Sequence, residues 1–287
     1  MEILFQQILN GLTLGGIYSL VALGLTLVFG ILEVPNFAHG AFYMVGAFVS
    51  YLLMTSVGLN YWVAMLGSAV VLAGLSVVAE RLVFNPLRNA SLLHPMVAAI
   101  GLLLFMEASA QALWGADFRQ MPAPYDGIVN ILGATAPVQR LLIIVGAFVL
   151  MLALHLFLTR TTLGSSIIAM AQNREGAALM GIDPTRVSML TFAISGVLVA
   201  VAATLFAPIS LVSPSMGNLV VMKAFVIIIL GGMGSIPGAI VGGLIIGFAE
   251  AFTAFYISTD YKDIGAFLLL VVILSIRPSG LFGHGGR

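Results

Sequence analysis

The chain has 287 residues, 61% of them hydrophobic and only 8% charged, with a net charge of zero. A soluble domain carries about 25% charged residues, so this chain cannot cover itself with a wetted surface and must be solvated by lipid. It has no cysteine, which excludes disulfides and thiolate chemistry, and it has no run of Lys or Arg that would suit nucleic acid.

A membrane crossing takes about 20 apolar residues. Ile3 to Leu32 carries no charge and exceeds that length. The stretch before it has no basic n-region, so it reads as a retained span rather than a cleaved signal. Gly11, Gly15, Gly16, Gly24 and Gly30 permit a break, giving a short lead-in piece plus a helix. Phe37–Val57, Tyr61–Ala79, Pro95–Trp114, Leu141–Leu158 and Val187–Leu211 follow as spans. Leu219–Leu230 is short, Ala239–Ile257 is long enough, and Ile264–Ile276 closes the series. The expected fold is therefore an all-α integral membrane protein, a single polytopic helical bundle of about eight or nine crossings.

Loop charge sets orientation. Arg81 and Arg88, then Arg160, Arg174 and Arg186, then Arg277 and Arg287 share one side in a nine-span reading, and that side is expected to be cytoplasmic. Residues 115–140, with Pro122, Pro124, Gly127 and Pro137, read as an irregular extracytoplasmic loop.

The cytoplasmic loop, residues 159–186, reads as ordered. Gly164 to Met180 is helix-compatible, Gly181 stands where a helix C-terminal glycine belongs, and Asp183-Pro184 is a cap followed by a first-turn proline. Ile167, Met170, Ala171, Ala178 and Leu179 fall on one apolar face. That face suits either a partner protein or lipid head groups.

Gly231, Gly232, Gly234, Pro237 and Gly238 lie within eight residues and cannot sustain a helix. They form either a turn between two spans or a broken element along a pathway. Gly11-x-x-x-Gly15, Gly238-x-x-x-Gly242 and Gly243-x-x-x-Gly247 let helix backbones approach.

Glu107 and Glu250 lie within apolar segments. An ionised carboxylate there costs roughly 3 kcal/mol on insertion scales, so each needs a partner, a proton or a wet cavity. Lys223 is near a segment end, where it can snorkel or pair with Glu107 or Glu250. His39, His94, His155 and His284 have no metal-ligand spacing. There is no Gly-x-x-x-x-Gly-Lys, so the chain is no P-loop ATPase, and no nucleophile–base motif occurs. No catalytic, cofactor or metal residue is assigned.

Asn10-Gly11-Leu12-Thr13-Leu14-Gly15-Gly16-Ile17-Tyr18, Asn36-Phe37-Ala38-His39-Gly40 and Ala177-Ala178-Leu179-Met180-Gly181-Ile182-Asp183 occur in this order. They are followed by Met222-Lys223-Ala224-Phe225, Gly231-Gly232-Met233-Gly234-Ser235-Ile236-Pro237-Gly238-Ala239 and Ser258-Thr259-Asp260-Tyr261-Lys262-Asp263. Together they resemble the branched-chain amino acid ABC permease family, specifically the shorter of its two paired permease subunits.

The resemblance implies a bacterial inner-membrane importer. Its parts would be a second permease subunit, two cytoplasmic ATP-binding subunits that hold ATP-Mg, and an external solute-binding protein. It favours the docking role for the cytoplasmic loop, with Arg174, Glu175, Ala177, Ala178, Gly181, Ile182 and Asp183 at the ATPase; Gly176 interrupts the Glu-Ala-Ala pattern of other importers. Asn36, His39, Glu107 and Glu250 are the expected pathway residues. The rival readings are an ion-coupled secondary transporter and a channel for small polar solutes such as urea or amides.

Overall fold

The computed structural model describes residues 2–88, 90–125, 127–131 and 134–283. His284 and Arg287 lie outside them. The fold is the expected polytopic helical bundle. The helices are α1 (Glu2–Leu32), α2 (Ala38–Thr55), α3 (Tyr61–Ala79), α4 (Leu93–Trp114), α5 (Val138–Arg160), α6 (Thr162–Gln172), α7 (Arg174–Leu179), α8 (Pro184–Phe206), α9 (Met216–Gly231), α10 (Ile236–Tyr256) and α11 (Lys262–Ile276). Among the described residues, seven helices are long and apolar enough to cross a membrane, α9 is a shorter apolar one, and α11 has 15 residues.

The first segment differs from expectation: it is one unbroken helix of 31 residues. Its glycines act as contact points rather than breaks. Helices in lipid gain little from the hydrophobic effect and associate through close packing and interhelical hydrogen bonds. A Cβ on Gly15 would lie 2.9 Å from Leu244 Cα, and one on Gly243 would lie 2.7 Å from Ser19 N. α1 and α10 thus run antiparallel with their backbones nearly touching. Ser19 Oγ donates to Ile240 O at 3.0 Å across the same seam. The cost of glycine in a helix, about 1 kcal/mol each, is offset by this contact.

Replacing Gly247 with Leu should therefore separate the two helices, because a Cβ there already lies 2.8 Å from Gly11 O. The expected result is loss of monodisperse protein in size-exclusion chromatography after mild heating in detergent. Gly74→Leu is the control, since nothing lies within 4 Å of its added Cβ.

Further hydrogen bonds tie helices together through backbone carbonyls. Ser195 Oγ donates to Gly24 O at 2.9 Å, Ser68 Oγ to Gly46 O at 2.8 Å and Gln139 Nε2 to Leu205 O at 2.7 Å. Large apolar side chains such as Val70, Phe105, Phe148 and Leu268 are exposed on α3, α4, α5 and α11, as a lipid-facing or partner-facing surface requires.

Loop 115–140 is less irregular than expected. It holds β1 (Arg119–Gln120) and a hairpin of β2 (Ile128–Ile131) with β3 (Ala134–Pro137). β1 pairs antiparallel with β4 (Leu211–Val212), Arg119 opposite Val212.

The expected sixth span, Val187–Leu211, also ends earlier than the sequence suggested. Helix α8 stops at Phe206, and residues 207–215 form a single 3₁₀ turn, β4 and a bend before α9 begins. Pro208, Val212 and Ser213 in this stretch are buried. Pro208 and Pro214 cannot continue a helix, and a non-helical backbone at this position is tolerated only when buried in protein or facing water. The interruption inside the bundle thus precedes α9. The Gly231–Gly238 run forms the turn from α9 to α10, with Gly232 and Gly234 at φ +99° and +80° and Ser235 capping α10 through Gly238 N at 3.1 Å.

Between α5 and α8 the single helix expected over Gly164–Met180 is two. Asn173, extended at φ −156°, caps α7 by accepting from Gly176 N, a competition with the backbone that favours a helix start over continuation.

Candidate functional site

The antiparallel order places the starts of α1, α5, α9 and α11 and the ends of α8 and α10 around one cavity of about 690 Å³. Its walls mix Leu14, Phe206, Leu219 and Phe255 with Asn10, Ser213, Arg140 and Lys223. The broken stretch before α9 contributes Ser210, Leu211, Ser213 and Ser215. Arg140 donates to Asn10 Oδ1 across the α5–α1 contact.

Three members of an ionic cluster, Tyr18, Lys223 and Glu250, line this cavity, and Asp263 joins them from beside it. Lys223 Nζ lies 2.7 Å from Glu250 Oε1 and 2.9 Å from Asp263 Oδ1. It also donates to Tyr18 OH at 2.9 Å, and Tyr18 OH donates to Glu250 Oε2 at 2.7 Å. Four helices, α1, α9, α10 and α11, meet here. Glu250 is 1% exposed and Lys223 12%, whereas Asp263 is 38% exposed. Lys223 therefore does not snorkel: its stem would have to leave three partners. Of its two expected partners it pairs with Glu250 and not with Glu107.

Asp263 is the member that the sequence does not mark as a pathway residue, although it ends the Ser258-Thr259-Asp260-Tyr261-Lys262-Asp263 motif. Its place in the first turn of α11 made it read as a loop charge, and only the packing of α11 on α10 brings it to Lys223.

The other expected pathway residues lie elsewhere. His39 is buried between α1 and α2, its Nε2 3.0 Å from Val21 O. Asn36 is buried with its side-chain oxygen unpartnered. Glu107 is on α4, half-buried, with one carboxylate oxygen lacking a partner.

A second cavity of about 500 Å³ lies toward the other end of the bundle, lined by Thr26, Gly30, Ile167, Ala171, Gly234 and Phe282 among others. Tyr18 borders the first cavity and Thr26 the second. Eight residue steps along α1, about 12 Å at 1.5 Å per residue, separate them. Leu20, Val21, Ala22, Leu23 and Leu25 in that interval have no exposed surface. The His39 contact to Val21 and the Ser195 bond to Gly24 clamp this barrier.

At the same end as the second cavity lies the loop expected to dock. Gly181, at φ +85°, ends α7: its N–H donates to Ala178 O and that of Ile182 to Ala177 O, the paired bonds of a Schellman cap. Asp183 caps α8 through Thr185 N at 2.9 Å. The tight turn exposes Leu179 by 89% and Met180 by 84%, while Ala177 is buried and Glu175, Ala178 and Gly181 are exposed.

The base of this loop is held by Arg88. It donates to Thr185 Oγ1 at 3.2 Å and Pro184 O at 3.4 Å and pairs with the buried Glu80 at 3.4 Å. Burial first, and the Arg88 charge second, lower the pKa of Arg174, while Glu33 opposes the shift. The second effect reflects how closely the α3–α4 link approaches α7.

Known proteins bear on these features. Residues 7–274 match the family described as branched-chain amino acid transport system / permease component. The chain is 36% identical to the high-affinity branched-chain amino acid transport system permease protein LivH of Salmonella typhimurium, covering 97% of this chain and 95% of the relative. It is also 36% identical to the permease protein BraD of Pseudomonas aeruginosa, with the same coverage. The permease protein LivM of Escherichia coli is 27% identical over 94% of this chain and 68% of its own length.

Among solved structures, PsaBC from Streptococcus pneumoniae in complex with Fab shares the fold. Its TM-score is 0.55 at 13% identity, covering 94% of this chain and 91% of that one. A polytopic bundle with a polar, charge-bearing cavity at one end, matched over nearly its whole length, belongs to the family of permease components of branched-chain amino acid transport systems.

Proposed function

We propose that this chain carries branched-chain or similar small amino acids across the bacterial inner membrane by ATP-driven alternating access. The supporting observation is the pair of cavities at opposite ends of the bundle, separated by a closed layer of α1. A permease resting between turnovers needs a solute vestibule on one side, an exit on the other and no continuous pore. A zwitterion must be hidden from lipid throughout its passage, and both cavities are lined partly by polar side chains and by backbone.

Orientation follows from charge. Arg81, Arg88, Arg160, Arg174, Arg186 and Arg277 gather at the end that holds the second cavity and α7, so that end faces the cytoplasm. The larger cavity then opens outward, toward a solute-binding protein. The α6–α7 loop, residues 159–186, meets an ATP-binding subunit, and the chemistry of ATP-Mg belongs to that partner.

The chain's likeness to two differently named permease proteins supports pairing with a related but distinct second permease subunit. Asn36 and His39 sit in or beside the barrier layer, and Glu250 borders the outer cavity, which suits their roles along a pathway that opens and closes. Glu107 lines neither cavity, and its buried, unpartnered Oε1 suits a role that needs the pathway to rearrange around α4.

The test is reconstitution of the complete transporter in proteoliposomes. L-leucine delivered by the binding protein should accumulate only with ATP and should be indifferent to an uncoupler. Uptake without ATP that an uncoupler abolishes would instead establish the ion-coupled reading, and non-saturating flux a channel.

A further inference from the structure

We propose that the Lys223–Asp263 ion pair is an exchangeable site for a zwitterion: an α-amino acid inserts between the two, its carboxylate on Lys223 and its ammonium on Asp263. The proposal rests on the permease reading above and adds a binding site within the membrane domain itself.

The two carboxylates that share Lys223 are not equivalent. Glu250 is 1% exposed, lies 2.7 Å from Lys223 and holds a second bond from Tyr18. Removing a partner from so buried a pair leaves an uncompensated charge, so this half is fixed. Asp263 is 38% exposed, and Lys223 is its single ion-pair partner among the described residues. Oδ1, the oxygen that faces Lys223, is buried, but the side chain as a whole is partly wetted, so of the two pairs this one can be traded for another cation at the lower desolvation cost.

The exchange conserves charge. One lysine faces two carboxylates, and a zwitterion adds one charge of each sign. A carboxylate alone would take Asp263's cation without replacing it and leave an unpaired charge in a low-dielectric site, where such a charge is most costly; an amine alone can pair with Asp263 but forgoes the bond to Lys223.

The space is adequate. The cavity beside Lys223, about 690 Å³, lies within the range of roughly 300–1,000 Å³ typical of small-molecule sites. Leu14, Leu219, Val220 and Phe255 on its wall give an apolar side chain somewhere to go. Insertion would also part α9 from α11 at the point where Lys223 ties them, so occupancy and helix movement would be linked.

The experiment uses the complete transporter in lipid nanodiscs, without binding protein or ATP, and equilibrium dialysis of radiolabelled L-leucine. Saturable binding is expected. Unlabelled L-leucine should compete; isocaproate, which lacks the ammonium, should not, and isoamylamine, which can pair with Asp263 but not with Lys223, should compete more weakly than leucine. Asp263→Asn should weaken binding on the order of tenfold or more, and Asp263→Glu should retain most of it. Assembly of each variant is checked by gel filtration.

Equal L-leucine binding in the wild type and an assembled D263N variant overturns the proposal, as does competition by isocaproate as strong as that by leucine. A wild-type complex that imports leucine on ATP yet binds none without the binding protein overturns it too, while leaving the permease reading intact. A complex that binds leucine in this way but never transports it on ATP has the reverse consequence. If D263N does not assemble, the competition series on the wild type still decides.

Discussion

Glu250→Ala is expected to destabilise the fold far more than Asp263→Ala, although both remove one carboxylate from Lys223. Glu250 is 1% exposed and holds α10 to α9 through Lys223 and to α1 through Tyr18. Its loss leaves an ammonium that is only 12% exposed with the outer carboxylate, Asp263, as its one ion-pair partner among the described residues, and breaking a buried pair from one side costs about 3–5 kcal/mol. Asp263 is 38% exposed, so the corresponding change removes a pair worth about 1 kcal/mol or less. Thermal unfolding in detergent, followed by fluorescence-detected gel filtration, should separate the two variants. A double variant, Glu250→Ala with Lys223→Met, should recover part of the lost stability, because the one charge then left without its partner, Asp263, is 38% exposed. Equal losses for the two single variants would contradict the assignment of Glu250 as the fixed half of the cluster.

The fold was legible because lipid leaves the backbone few choices. Without water to satisfy its polar groups it must be helical across the bilayer, and the length rule then fixes the spans: the third was expected at Tyr61–Ala79 and lies there. Two errors came from reading glycine and proline by composition alone. Gly11, Gly15 and Gly16 permit both a break and a close helix contact; they are contact surfaces for α10 and α5, and which helices they meet is visible only once the partners are placed. The window Val187–Leu211 is apolar enough on average to carry the sixth span past its true end at Phe206, although Pro208 cannot continue a helix.

The ionic cluster was half legible. Mid-span Glu250 demanded a partner and Lys223 was a stated one, but Asp263 sat in a short loop-like motif with no apolar context to mark it. Tyr18, the fourth member, gave no sequence signal beyond its place in a motif, since an aromatic ring in an apolar helix is ordinarily packing.

Leu179→Asp combined with Met180→Asp should abolish ATP-driven uptake while leaving the permease folded. These side chains are 89% and 84% exposed at the tip of a turn fixed by the Gly181 cap, so they support nothing within the chain and their replacement removes no internal contact. Exposed apolar side chains on a rigid turn are a liability in water unless a partner covers them, and anchors of this kind carry a disproportionate share of interface energy. Placing carboxylates there would bury charge against the ATP-binding subunit, a cost of several kcal/mol for each ion left unpaired. The expected result is a permease that still elutes as a sharp peak but no longer co-purifies with the ATP-binding subunits, with leucine uptake reduced to the level seen without ATP. Glu175→Ala on the same helix is exposed and makes no ion pair among the described residues, so it should have a much smaller effect. If the double aspartate variant retains its ATP-binding subunits and its uptake, α7 is not the point of contact, and the exposure of Leu179 and Met180 serves the lipid head groups instead.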